Sequence, residues 1–297
     1  MSKAKLSVDE LKQVASGYAG ATLVIDGKNL AHRSAHAVKD DASIAFNRAV
    51  QSLCFMINTF NPARVVIAWD DTTENLWRTA IYSAYKERRK SDEVHKAIIH
   101  KIQDILIHTA EHFGIHSLWV STQEADDLIA AICNCSTNNV VIASNDGDLR
   151  QLLTIDGVVI YDPLNRRIID QEYVGRFALE NHVKLRALEG DSSDNIIGYM
   201  GIGPVNAAKI IRENTLDSFL ESVGREKYDL NVQLIDLMNS PYINGNIDIV
   251  QNELSRELKF DIASAVKIAI AKRAGSYINW TRDLSQAMRR VRQWRLE

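Results

Sequence analysis

The stretch Val140-Val141-Ile142-Ala143-Ser144-Asn145-Asp146-Gly147-Asp148-Leu149-Arg150-Gln151-Leu152-Leu153 narrows the possible folds more than any other part of the chain. Its β-branched apolar run reads as a buried strand, its Ser/Asn/Asp/Gly cluster as a turn, and Leu149, Leu152 and Leu153 as the inner face of a helix. Two carboxylates, Asp146 and Asp148, therefore stand on a tight loop at a strand's carboxyl end. In a parallel α/β sheet that is the edge where ligands bind. Taken alone, both aspartates serve equally well as turn and helix N-cap residues. The decision rests on whether other strands bring acids to the same edge.

They do. After a short helix announced by the capping-box spacing of Ser7 and Glu10, the run Ala21 to Ile25 reads as a strand ended by Asp26-Gly27. Helical spacing then runs from Leu30 to about Phe60, where Asn61-Pro62 breaks it. Arg64 to Trp69 makes a second buried strand, ended by Asp70-Asp71. A helix from about Glu93 to Phe113, closed by Gly114, leads into a third strand from Ile115 to Val120, whose exit carries Glu124, Asp126 and Asp127. A helix dipole favours acids there but does not require three of them. The stretch from Val140 supplies the fourth strand, and a short fifth runs from Gly157 to Tyr161.

Residues 71 to 92 break this rhythm. Between 78 and 101, Arg78, Lys86, Arg88, Arg89, Lys90, Lys96 and Lys101 face only Glu87, Asp92 and Glu93. A charge run is usually a solvated face. Here Trp77, Tyr82 and Tyr85 are interleaved with the cations, a mixture that suits phosphate neutralisation and base stacking.

From Gln171 the pattern turns helical and meets another acidic loop, Glu189-Gly190-Asp191-Ser192-Ser193-Asp194-Asn195. Gly198 to Pro204 and the helix after it form a helix–hairpin–helix pattern, in which glycines such as Gly201 and Gly203 let backbone N–H groups approach a phosphate. The C-terminal stretch is mainly helical and ends in its own basic run, with Lys272, Arg273, Arg282, Arg289, Arg290, Arg292 and Arg295 opposed only by Asp283. The expected fold is α/β, a mostly parallel central sheet flanked by helices. Residues 1–170 would form the α/β core, including the basic segment at about 71–100, and 171–297 a mainly helical region.

At 297 residues and 46% hydrophobic content the chain can bury the core this requires, as one large domain or two smaller ones. The net charge of −3 neither suggests nor excludes a polyanionic partner, so the local charge distribution decides. Cys54, Cys133 and Cys135 show no paired metal-binding spacing, and nothing at the N-terminus resembles a signal peptide. No apolar run approaches the roughly 18 residues needed to span a membrane. An intracellular, cytoplasmic setting is expected.

Asp26, Asp70, Glu124, Asp126, Asp127, Asp146, Asp148, Asp191 and Asp194 cannot share one edge uncompensated, because each raises its neighbours' pKa. Oxygen donors without nearby His or Cys suit Mg²⁺ or Mn²⁺. Two such ions roughly 4 Å apart would polarise a phosphodiester, activate a water and stabilise the leaving oxygen. Lys86 would neutralise charge on the scissile phosphate, although a lone lysine is more often a solvated surface residue. The pairs His32/His36 and His108/His112 have i, i+4 spacing on expected helices. Zinc is disfavoured, because neither pair has the glutamate of the zinc-protease motif or an evident third ligand.

Between about Val24 and Asn214 the chain resembles the 5′-nuclease superfamily of flap endonucleases, bacteriophage 5′→3′ exonucleases and the 5′-nuclease domains of bacterial DNA polymerases. The resemblance runs through Asp26-Gly27-Lys28-Asn29-Leu30, Asp70, Tyr85-Lys86, Glu124-Ala125-Asp126-Asp127, Ser144-Asn145-Asp146-Gly147-Asp148, Gly190-Asp191-Ser192-Ser193-Asp194-Asn195 and Gly201-Ile202-Gly203. It implies a PIN-like fold and magnesium-dependent hydrolysis near the 5′ ends of DNA flaps, nicks or duplexes, with RNA–DNA hybrids left open, during replication or repair. It assigns Asp70, Glu124, Asp126, Asp146 and Asp148 to a first metal cluster. Asp191 and Asp194 complete a second with the shared aspartates, which are taken to be Asp146 and Asp148. Asp26 would act through water, Asp127 as an additional acid, Lys86 and Arg89 as a basic pair on the scissile phosphate, and Arg33 as a further basic active-site residue.

The same resemblance makes residues near 71 to 100 a helical arch over the active site, with Tyr85 a stacking residue and Arg88 and Lys90 contacting DNA. The hairpin at 198–209, with Gly201, Gly203 and Lys209, would grip the duplex, often with a potassium ion, although Ile197 stands where many members have proline. The length is similar to that of stand-alone bacteriophage enzymes, and a monomer is expected. Two alternatives stay open. A paired-Asp phosphatase would need its aspartate pair after the first strand, where this chain has Asp26-Gly27-Lys28. A non-catalytic branched-DNA-binding protein would share the basic regions without needing so many closely placed acids.

Overall fold

The computed structural model describes residues 5–38, 41–87, 92–274 and 277–293. Strands β1 (Thr22–Asp26), β2 (Arg64–Trp69), β3 (His116–Trp119), β4 (Val140–Ala143), β5 (Val158–Asp162) and β6 (Arg167–Ile169) form one sheet in the order β3-β2-β1-β4-β5-β6. The first five run parallel, and β6 returns antiparallel to β5. Because β1 lies between β2 and β4, the strand order reverses there. Their carboxyl ends open on the crevice where doubly wound sheets bind ligands.

The helices, in chain order, are α1 (Val8–Ala15), α2 (Gly27–His36), α3 (Ala42–Phe60), α4 (Trp77–Ile81), α5 (Glu93–Thr109), α6 (Ala125–Cys135), α7 (Gln171–Val174), α8 (Arg176–Glu180), α9 (His182–Glu189), α10 (Pro204–Arg212), α11 (Leu216–Val223), α12 (Glu226–Ile235), α13 (Ile243–Ser255), α14 (Ile262–Ala271) and α15 (Tyr277–Gln293). Successive strand residues point to opposite faces of the sheet. Leu23 and Ile25 accordingly pack with Phe46, Leu53 and Ile102 on one side, while Val24 packs with Leu128, Ile132 and Val250 on the other. Both faces are covered, which is why these strands read as unbroken apolar runs.

Most sequence-expected elements are present, with boundary differences that have local causes. The capping box at α1 forms as expected, Glu10 N–H donating to Ser7 Oγ at 3.2 Å and Ser7 N–H to Glu10 Oε2 at 2.7 Å. The single helix expected from Leu30 to Phe60 is instead α2 and α3. Asp41 caps the second of these, accepting from the Ser43 and Ile44 N–H groups at 2.9 and 3.0 Å. Apolar spacing continued across the break, and only the capping aspartate marked it. The helix expected to reach Phe113 tightens after Thr109 into a 3₁₀ turn, Ala110–Phe113, that ends at Gly114 in the left-handed region.

Beyond β6, Ala187, Leu188, Tyr199, Ala207, Leu220 and Tyr228 make a separate small core between α9, α10, α11 and α12. The last helices return to the sheet, so the boundary expected at residue 170 does not hold for them: the separate helical part is α9 to α12, and α13 to α15 belong to the α/β core. Helix α13 packs on α6, and α14 and α15 pack on α5 and α3, putting Trp280, Leu284, Met288 and Val291 in the same core as Leu53 and Phe113. Among the described residues no helix is long and apolar enough to cross a membrane.

Candidate active site

Asp26 is the last residue of β1 and the N-cap of α2, where its Oδ1 accepts from Asn29 N–H at 2.9 Å. Its other oxygen accepts from the buried Ser144 hydroxyl at 2.8 Å, at the end of β4. Gly27 makes this turn possible, because a Cβ there would stand 2.3 Å from the Trp69 ring. Asp70, just past β2, accepts from Ala125 N–H at 2.8 Å at the start of α6 and pairs with Lys28. Glu124 is the N-cap of α6, and Asp126 lies in that helix's first turn. Asp146 combines the structural and chemical readings of its loop, since its N–H donates to Ser144 Oγ at 3.1 Å and its Oδ1 accepts from Asp148 N–H at 2.9 Å.

Asp26, Asp70, Glu124, Asp126 and Asp146 line one pocket of about 150 Å³ with Lys28, Asn29, His32 and Lys86. Five acids thus share it with two lysines. Asp126 shows the consequence, since burial first, then Asp146, Asp26, Glu124 and Asp70, hold its carboxyl well above the usual range. Burial and Asp70 push Asp26 up to about 6. Asp146 keeps an exposed edge, yet desolvation by the cleft and the charges of Asp194 and Asp191 raise it as well. Burial would also raise Glu124, but Lys86 and Arg78 outweigh it and hold that carboxyl below its ordinary value.

A second acidic group lies on the loop after α9. Gly190–Asp191 pairs antiparallel with Ile196–Ile197. The approach is close: a Cβ on Gly190, which has φ of 79°, would stand 2.3 Å from Gly198 N, and one on Gly198 would stand 2.1 Å from Glu189 O. These glycines hold the acidic loop closed. Arg186 pairs with Asp191 and lies 3.4 Å from Asp148. Burial, then Asp146, pushes Asp148 up to about 7 despite Arg186. Burial would raise Asp191, but Ser193 and Arg186 hold it below its ordinary value. Asp194 lies 3.7 Å from Lys86 Nζ.

Lys86 is buried, with φ of 58°, a backbone conformation uncommon for residues other than glycine. Its N–H donates to the Asp194 carbonyl at 2.9 Å, and its ammonium pairs with Glu124. Lys86 is therefore not the solvated lysine its local sequence allowed.

Several other expectations are corrected. Asp127 is not an acid facing the pocket. It is 0% exposed and receives two hydrogen bonds of 2.8 Å from the buried guanidinium of Arg78, which also donates to Glu124 at 2.9 Å and to the Leu234 carbonyl at 2.8 Å. Arg78 belongs to the run of cations that the sequence presents as a nucleic-acid contact, yet it faces the interior. Tyr85 is not an open stacking platform, because its ring is buried among Leu76, Ile196, Leu234 and Ile235 and its hydroxyl lies 2.9 Å from both Glu124 and Asp194. Trp77 is buried and directs its Nε1 to Asp127 at 3.3 Å, while Tyr82 donates to the Asn195 carbonyl at 3.1 Å. The aromatic residues of this segment are anchors to the core.

Arg33 reaches Asn29 at 3.1 Å and lines a different pocket, of about 420 Å³, with Arg48, Tyr161 and Arg166. Gly201, Gly203 and Lys209 lie exposed on the hairpin and α10, where neighbouring Met200 is 100% exposed. Arg88, Arg89 and Lys90 lie outside the described residues. Lys28 and Ser144 carry site contacts that sequence reasoning did not assign, although both lie within two residues of a strand-ending position. Arg78 and Arg186 had no such local signal.

Residues 21–178 match the family model described as the 5′-3′ exonuclease, N-terminal resolvase-like domain. Flap endonuclease Xni of Shewanella frigidimarina is 33% identical over 199 residues, spanning 64% of this chain and 76% of the relative. A 5′-3′ exonuclease of Mycoplasmopsis pulmonis is 30% identical over 211 residues, spanning 68% and 69% respectively. The fold is similar to that of the T5 D15 protein co-crystallised with metal ions, with a TM-score of 0.65 and 20% identity over 90% of this chain and 99% of that one. It is also similar to the catalytic core of Rad2 in complex with DNA substrate, with a TM-score of 0.54 and 17% identity over 93% and 94%. Strand-ending acids, switch-point crevice and family match agree, and the chain belongs to the 5′-nuclease superfamily, within the 5′-3′ exonuclease family.

Proposed function

We propose that this chain is a structure-specific 5′ nuclease that hydrolyses DNA phosphodiesters near 5′ ends, flaps or nicks with two divalent cations, Mg²⁺ or Mn²⁺. The observation that carries the reading is the convergence of Asp26, Asp70, Glu124, Asp126 and Asp146 from β1, β2, α6 and the loop after β4 on one pocket with Lys86. Acids whose charges raise one another's pKa, with His32 as the imidazole on the pocket wall, form a predominantly oxygen donor set suited to hard cations. When bound, such ions polarise the phosphodiester and lower the pKa of a water.

Asp70, Glu124, Asp126 and Asp146 would hold the first ion, and Asp148, Asp191 and Asp194 the second. Asp146 feels the charges of both groups, which supports it as the shared ligand, while the Arg186 contact puts Asp148 with the second group. Asp26, held by Asn29 and Ser144, suits a role through water. Lys86 offsets the acids and presents its ammonium to the phosphate, with Arg89 as a second cation. Helices α9 to α12, with their own small core, supply the DNA-binding region, in which Gly201, Gly203 and Lys209 on the exposed hairpin contact the duplex backbone, with a potassium ion there.

The test is cleavage of 5′-labelled flap, nicked and blunt DNA with Mg²⁺, with and without EDTA. The expected result is cleavage of at least one substrate that EDTA abolishes. Binding without metal-dependent cleavage of any of them would instead indicate a DNA-binding protein. Lys86→Ala is expected to lower kcat ~10²-fold with a smaller change in KM, as for removal of one electrostatic stabiliser of a transition state. Single-turnover rates alongside DNA affinity check it, with thermal denaturation as a control for folding. A change in affinity alone would leave Lys86 a binding residue.

A further inference from the structure

His32 and His36 lie one turn apart on α2, and the first turns of α5 bring His95 against them. Each offers a ring nitrogen, and the three nitrogens all lie within 4.8 Å of one another. The ring centroids are 4.2 Å apart for His36 and His95, 5.6 Å for His32 and His95, and 6.3 Å for His32 and His36. The third ligand missing from the sequence pattern is therefore supplied from another helix. His95 Nε2 is buried without a hydrogen-bond partner among the described residues, an unsatisfied polar atom that a ligand beside it would explain.

We propose that His32, His36 and His95 form a second metal site, selective for a borderline transition-metal ion such as Zn²⁺ and separate in chemistry from the oxygen-lined pocket. Imidazole nitrogens suit Zn²⁺, Co²⁺ and Ni²⁺, whereas Mg²⁺ prefers oxygen. Two nitrogens on one tetrahedral zinc stand about 3.4 Å apart, given Zn–N distances near 2.1 Å. Small side-chain rotations close the difference from the spacing in the structure. Partial burial, with His36 beside it, lowers the His95 pKa against the opposing pull of Asp92, which favours the neutral, ligating ring.

The location gives the site a structural consequence. Helix α2 begins at the Asp26 turn and carries Lys28, Asn29 and His32 to the acidic pocket, while α5 follows directly on the basic segment. A metal held by the three histidines ties the start of α5 to the helix that shapes the active site.

The experiment is a calorimetric titration of the full chain with Zn²⁺ in a large excess of Mg²⁺, paired with thermal denaturation. The wild type is expected to bind one Zn²⁺ that Mg²⁺ does not displace and to gain thermal stability. A His36→Ala/His95→Ala double variant, both positions lying outside the acidic pocket, is expected to bind that ion at least about tenfold more weakly and to lose the gain while keeping Mg²⁺-dependent cleavage. Asp146→Asn is expected to retain the zinc event, which distinguishes this site from the oxygen ligands. Unchanged zinc affinity in the histidine variant, or full displacement by Mg²⁺, overturns the proposal. So does zinc binding that persists in that variant but disappears when Cys133 and Cys135 are blocked. The binding readout does not depend on nuclease activity, so failure of the nuclease reading would appear separately as absence of cleavage.

Discussion

Replacing Asp146 with asparagine is expected to lower kcat by ~10²–10³-fold, corresponding to loss of several kcal/mol of metal-assisted stabilisation, while DNA affinity changes little. The size follows from its position: Asp146 lines the acidic pocket and also feels the charges of Asp191 and Asp194. One carboxylate thus serves both proposed ions, and its removal weakens both. Asparagine keeps the carbonyl oxygen that can accept from Asp148 N–H, so the turn should survive. Rapid-quench measurement of single-turnover cleavage, with DNA affinity measured in parallel in Ca²⁺, separates chemistry from binding. Turnover close to that of the wild type would remove Asp146 from the metal centre.

The largest effect on stability is expected at Arg78. Its guanidinium is only 2% exposed and joins Asp127, Glu124 and the Leu234 carbonyl. Breaking a buried ion pair by removing one partner leaves uncompensated charge and costs about 3–5 kcal/mol. At roughly 2–4 °C per kcal/mol for chains somewhat smaller than this one, Arg78→Ala should lower Tm by on the order of 10 °C. Asp127→Asn keeps the shape of the pair and should cost less, without changing how many divalent ions bind. Differential scanning calorimetry together with metal-binding stoichiometry checks both variants. If Asp127→Asn removed an ion with no loss of Tm, Asp127 would be a ligand after all; a Tm within a degree or two of wild type for Arg78→Ala would show that the buried network contributes little.

Much of the α/β core was legible because strand runs such as Val65 to Trp69 and Val140 to Ala143 are buried on both faces and therefore continuously apolar. Acids directly after those runs could be placed on one edge without knowing any distance, since parallel strands put all their carboxyl ends on the same side. The break between α2 and α3 was harder to see, because the apolar positions on both sides of it face the same core. The basic aromatic segment misled for a related reason. Trp77, Arg78 and Tyr85 look like a nucleic-acid surface in one dimension, yet each is buried by residues distant in sequence, including Leu234 and Ile235 from α12.

Residue types and their order by themselves determined the mostly parallel sheet, the edge where acids collect and the oxygen donors those acids offer a cation, because strands alternating with helical segments are joined by crossovers that run them parallel. Tertiary structure alone decided which acids face the pocket and which are neutralised behind it. It turned Asp127 towards Arg78, joined Asp148 and Asp191 through Arg186, and brought His95 to His32 and His36. Each of these depends on the meeting of side chains from separate elements. Electrostatic compensation acts through space, and sequence spacing carries no record of it.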